Sequence, residues 1–232
     1  MKPAGVALLM ALATQDLAAV ELELAESARS RISDAQRRTI QELAASIEED
    51  VRAVLPGLPM SLVVEVRAEQ QPYSRTGASG AALGPERVAW VVDTSRAEGV
   101  VAIAEQTLRP ILFHEFHHLA RGCTQDGPPF RSFLDGAICE GMATAFARDF
   151  ATAEQPWATY PSDVESWYEE VKDLPGSATT GEWMFFHSDG RAWVGYKVGT
   201  FLVDRAMKAS GRSAAELADV ASEDVVKLAG YE

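Results

Sequence analysis

Three of the four histidines in this 232-residue chain fall within one short stretch, His114-Glu115-Phe116-His117-His118. On a helix, His114 and His118 differ by about 400° of rotation, so both rings project from one side about a turn apart. Two imidazoles placed this way can grip one zinc ion. Glu115 lies about 100° further round, beside such an ion rather than on it, where it can take a proton from an attacking water. His117, at i+3 from His114, reads as a neighbour of the site rather than a ligand. The alternative for the whole stretch is a buried histidine cluster without a metal.

This chemistry requires a helix. Pro110 is expected in its first turn and Gly122 just past its end, which together predict a helix of about 11–13 residues. Ile111, Leu112, Phe113, Phe116 and Leu119 make it apolar on nearly every other side. It is therefore a buried helix, whose imidazoles need partners. A catalytic zinc takes three protein ligands and leaves one position open. The third ligand is sought on a second helix, predicted from Phe133 to Phe146 after Pro128-Pro129. Glu140 is chosen because Gly136, Ala137, Ala143 and Thr144, its same-face neighbours, are all small and would let this helix approach the histidine helix. Coordination also removes the cost of burying its charge. His187 is the competing ligand, Cys139 lies about 100° away on the same helix, and Asp135 is placed to orient a ligand by a hydrogen bond.

The elements around these two helices follow from periodicity. Val20 to Leu24 alternates strictly and predicts a half-buried strand. Ser33-Asp34-Ala35-Gln36 offers a capping box, followed by an amphipathic helix over roughly 34–54 that Pro56-Gly57 ends. Leu62 to Val66 predicts a second strand, Tyr73 to Pro85 a glycine- and serine-rich loop, and Val88 to Val92 a third strand. From about residue 100 the pattern is helical, with breaks at Gly122–Pro129, Pro156–Pro161 and Pro175–Gly181. Strands first and helices after give an α+β class, expected as one domain over 1–232.

The composition sets limits on partners. With 34 Asp and Glu against 21 Lys and Arg, the net charge is −13, which argues against nucleic acid and anionic membrane surfaces. No apolar run approaches the length of a membrane span. Two cysteines make neither a disulfide scaffold nor a cysteine-rich zinc site, although Cys123 and Cys139 could pair in an oxidising compartment. The apolar segment through Ala13 resembles a short secretion signal only weakly. The cytoplasm is the default expectation.

The motif helix, the gap that follows it and Glu140-Gly141 resemble the gluzincin group of zinc peptidases. The resemblance is closer to an uncharacterised bacterial family of predicted zinc-dependent proteases. It is carried by His114 to Arg121, by Leu134-Asp135 with Glu140-Gly141, and by Trp193-Val194-Gly195-Tyr196-Lys197-Val198-Gly199. It implies a zincin-like fold with a strand running along the cleft, for which Val88 to Val92 is the candidate, an ordinary core strand being the other reading. One zinc per chain and a peptide or protein substrate are implied as well. Gluzincins place an Asp four residues after the ligand Glu; this chain has Thr144, which leaves Asp135 as the candidate orienter. The reaction needs a donor to the tetrahedral intermediate opposite the metal. Tyr196, flanked by Gly195 and Gly199 on a helix expected from about 193 to 209, is the first candidate and His187 the second. Two other readings keep the site, one as an amidase or esterase acting on a small molecule and one as a zinc-stabilised binding or regulatory module without hydrolysis.

Overall fold

The computed structural model describes residues 20–71, 74–151 and 155–231. The apolar segment through Ala13 lies outside them. Four strands form one sheet in the order β1-β2-β4-β3: β1 (Glu21–Leu24), β2 (Val63–Ala68), β3 (Ala78–Gly84) and β4 (Arg87–Val92). The pairs β1–β2 and β2–β4 are parallel, whereas β3 runs antiparallel to β4. Between β1 and β2 the chain forms the short α1 (Glu26–Arg29) and the long α2 (Asp34–Val54). After the sheet come α3 (Val100–Arg121), α4 (Phe133–Ala151), α5 (Val164–Val171), α6 (Val194–Ser210) and α7 (Ser222–Leu228), with a 3-10 turn at Gly176–Thr180. This is the expected α+β arrangement.

Local chemistry explains the sheet. Val64, Val66, Val88, Trp90 and Val92 are buried on alternate positions, while the other face carries Glu23, Glu65, Arg67 and Arg87. Arg87 bridges Glu23 and Glu65 at 2.6 and 3.1 Å. The predicted capping box forms: Ser33 Oγ accepts from Gln36 N–H and Gln36 Oε1 accepts from Ser33 N–H. The free edge of β1 is closed by α2, because Gln41 accepts from Leu22 N–H and donates to the Val20 carbonyl, and Glu48 accepts from Val20 N–H. Such capping removes a template for unwanted strand pairing.

Two expectations are corrected, and one open alternative is decided. The segment expected as a loop over Tyr73 to Pro85 contains β3, an edge strand. Val88 to Val92 is a core strand, with β2 and β3 on its two sides; the strand beside the histidine helix is β3. Pro110 is not in a first turn but inside α3, which begins ten residues earlier. Proline there removes one hydrogen bond, to the Gln106 carbonyl, and ordinarily breaks a helix. Here α3 is packed against α2, α4, β3 and β4, and this burial outweighs the local cost. The expected end does form: Gly122 adopts a left-handed φ of +76°, as C-terminal glycines do.

Sheet and helices share one buried apolar cluster that runs from Val64 and Trp90 through Phe113 and Phe116 to Phe146, Leu202 and Val225. A Cys123–Cys139 disulfide ties the turn after α3 to α4. Among the described residues, no helix is long and apolar enough to cross a membrane.

Candidate metal centre

His114, Glu115 and His118 all project from the buried half of α3. The two ring nitrogens His114 Nε2 and His118 Nε2 stand 3.1 Å apart. Glu140 on α4 brings its Oε2 to 3.2 Å from the first and 3.4 Å from the second. A zinc ion held tetrahedrally at 2.0–2.1 Å sets its ligand atoms about 3.3 Å apart. The three edges therefore match the bite that one such ion requires, and the donor set of two imidazoles and a carboxylate suits zinc. Among the described residues, this is the group of three whose donor atoms converge within 4.8 Å. The histidine side chains are 10% and 7% exposed and that of Glu140 is 23% exposed, so the centre opens on the carboxylate side.

The position of Glu140 rests on glycines, although not as expected from its small-residue face. A Cβ on Gly141 would lie 2.2 Å from the Gly199 carbonyl carbon, and one on Gly199 would lie 1.8 Å from the Ala137 carbonyl oxygen. Gly141 and Gly199 thus let α4 meet α6, backbone against backbone. Gly136 admits Thr179 in the same way. The small residues bring α4 close to α6 and to the 3-10 turn, and Glu140 is carried to the histidines from that seat.

Glu115 lies outside the triangle. The Ala82 backbone of β3 favours the ionised form of its carboxyl. A Cβ on Gly80 would lie 2.6 Å from Glu115 Oε1, so only glycine lets the strand lie this close. The Ala82 carbonyl accepts from Gln125 N–H, which shows that Ala82 turns its polar groups away from β4. By the alternation of antiparallel pairing, Gly80 two residues earlier turns its N–H and C=O to the same open edge.

The charges reinforce one another. Burial opposes ionisation of Glu140, but His118 and His114 overcome it and hold the carboxyl well below its usual range. Burial likewise opposes protonation of His118, and Glu140 reverses that effect so that its pKa rises. Burial pushes the Glu115 carboxyl up, only partly offset by the two histidines. At the start of α6, burial and the nearby Glu140 and Glu115 charges raise the pKa of the Tyr196 hydroxyl well above that of a free phenol.

The other sequence candidates separate from this group. His117 points away, its Nε2 3.3 Å from the Ala214 carbonyl and its ring 5.4 Å from Phe146. His187 pairs with Asp189 at 2.9 Å and stacks on Trp183 at 3.9 Å. Asp135 is not an orienter of a histidine: its Oδ2 accepts from Arg131 and Ser132 N–H and starts α4. The buried Nδ1 atoms of His114 and His118 have no partner among the described residues. What the sequence reading missed is β3, whose backbone meets Glu115. Its signal was glycine at 80, where a strand must approach another element.

A family model described as "Predicted Zn-dependent protease (DUF2268)" matches residues 37–227. No curated protein and no solved structure matches.

Proposed function

We propose that this chain, which belongs to the family described as predicted Zn-dependent protease, is a zinc peptidase on a single zincin-like domain, with His114, His118 and Glu140 holding one zinc ion. The observation that carries the reading is the triangle of ligand atoms, 3.1, 3.2 and 3.4 Å on its edges, with an uncommitted glutamate beside it. A structural zinc site needs ligands but no base. Zinc bound there supplies Lewis acidity, lowering the pKa of water toward neutrality and polarising a carbonyl.

The chain's own residues do the rest. Glu115, held beside Gly80 of β3 and with a proton affinity raised by burial, accepts a proton from the attacking water and passes it to the departing amine. Tyr196 stays protonated and donates a hydrogen bond to the oxygen that gains charge. The open edge at Gly80 offers one N–H and one C=O to an extended backbone, which favours a peptide over a compact small molecule.

Metal analysis of the purified chain tests the site, with about one zinc per chain expected. A peptide-library cleavage assay with Glu115→Gln as control tests the reaction. Wild type should cleave, and the variant should keep zinc and lose turnover by about 10²-fold or more. A chain without zinc overturns the site. Cleavage that survives Glu115→Gln overturns the assigned base. Zinc without cleavage of any peptide points to a binding module or to a small-molecule amide or ester.

A further inference from the structure

A wall of aromatic rings adjoins the candidate centre, and of its members only Tyr196 takes part in the chemistry above. Trp157 comes from the segment before α5, Phe185 and Trp193 from the segment before α6, and Tyr196 from α6 itself. Trp157 lies 4.9 Å from Trp193 and 5.8 Å from Tyr196, centroid to centroid. Trp193 and Phe185 lie 5.7 and 6.3 Å from Tyr196. Phe186 extends the wall, 5.2 Å from Trp193. The wall thus ends on Tyr196, whose helix α6 packs against the Glu140 helix α4 and whose phenol feels the Glu140 and Glu115 charges.

Two observations mark it as built for an occupant. Phe185 and Phe186 are 44% and 63% exposed, which is unfavourable for rings unless something covers them. Trp193 holds φ +62°, a conformation that tryptophan adopts only when its surroundings impose it, and such strain clusters at ligand sites. The wall is also rigid. Trp193 N–H donates to the Phe185 carbonyl at 2.7 Å, His187 N–H to Arg191 at 2.8 Å, and Gly195 N–H to Trp183 at 2.9 Å. Arg191 is anchored on Glu170 by two bonds, and its cation lies over Trp167 and Trp183 rather than over the wall.

We propose that this wall is the specificity subsite of the enzyme, taking the large flat apolar side chain of a residue that flanks the scissile bond. The inference rests on the peptidase reading and adds the substrate class to it. A peptide held at the Gly80 edge with its carbonyl at the triangle has one flanking side chain beside Tyr196. An aromatic side chain there covers Phe185 and Phe186, whereas alanine leaves them in water.

The test uses the zinc-loaded full chain and two matched probe pairs. One pair is a phenylalanine and an alanine peptide hydroxamate, read by binding; the other is the corresponding peptides, read by cleavage. Wild type should bind the phenylalanine hydroxamate about ten-fold or more tightly than the alanine one. Phe185→Ala, Phe186→Ala and Trp193→Gly should each shrink that ratio, and the combined variant should bring it to within about three-fold, with zinc content retained. Trp193→Gly suits the left-handed position, and the two phenylalanines are exposed, so the fold should tolerate all three. Equal binding of the two hydroxamates by wild type, or a ratio unchanged in the combined variant, overturns the subsite. Glu115-dependent cleavage with no aromatic preference removes the subsite and leaves the peptidase. A hydroxamate preference without cleavage removes the peptidase and leaves the subsite.

Discussion

Gly199→Ala tests how Glu140, the proposed third zinc ligand, is held. The added methyl carbon would lie 1.8 Å from the Ala137 carbonyl oxygen, against an ordinary contact of about 3.4 Å. The two helices must therefore part by roughly 1.5 Å, because both partners at this point are backbone. Glu140 follows Ala137 by three residues on α4, and its Oε2 lies 3.2 and 3.4 Å from the two histidine nitrogens. A displacement of that size opens those edges well beyond what one zinc ion can bridge. Alanine in place of helical glycine contributes about 1 kcal/mol of stability, while overpacking against backbone this close costs about 2–3 kcal/mol, the upper part of the usual range. The clash wins by roughly 1–2 kcal/mol, which lowers Tm by about 2–8 °C for a chain of this size. Zinc affinity should fall at least ten-fold. Thermal melts of the metal-free chain, paired with zinc titration against a competing chelator, measure both quantities. A wild-type Tm refutes the close-approach argument, and a lowered Tm with unchanged zinc affinity refutes the link from the glycine seat to the ligand.

Other perturbations follow from the same geometry. Tyr196→Phe should keep zinc and lower kcat by about ten-fold or more; an unchanged kcat removes the phenol from the reaction. Saturating zinc at about 1,000 Kd should stabilise wild type by about 4 kcal/mol, and His114→Ala or Glu140→Ala should abolish the resulting rise in Tm. A zinc-dependent rise that survives in Glu140→Ala would remove Glu140 as a ligand. Burial depresses the His117 pKa to about 3, with His118 adding to the effect. Its contribution to stability is therefore full above the unfolded value near 6.5 and is lost as pH falls toward 3, a change of several kcal/mol at most. In a chelator-treated pH series His117→Gln should flatten this acid limb; an equally steep limb in the variant would put the titration elsewhere.

Residues that answer to local rules were legible in the sequence. The Ser33–Gln36 box, the amphipathic α2, the alternating β1 and the i,i+4 histidine pair each depend on neighbours within a turn or two. Failures came where a distant partner decides the outcome. Ala78–Gly84 carries no β-branched residue, and it is a strand because β4 pairs with it and because Gly80 must pass close to Glu115. Pro110 sits mid-helix because packing on four elements outweighs its lost bond. Glu140 was picked out by its small neighbours, yet Gly136 packs on Thr179 of the 3-10 turn and Ala137 meets Gly199 of α6, directions no periodicity can supply. The aromatic wall went unnoticed for the same reason: its rings are separated by up to 39 positions between Trp157 and Tyr196 and converge only in space.

The Cys123–Cys139 bridge has a consequence for survival in the presence of proteases. It closes a loop of sequence separation 16 that carries Thr124 through Ser132 between α3 and α4, with Phe130 exposed. A cut in that loop would sever the polypeptide between His118 and Glu140. With the bridge intact, the two pieces stay covalently joined beside the ligands they contribute. The nicked molecule would migrate as one band until a reductant separated it into two, and damage to the backbone would spare the centre.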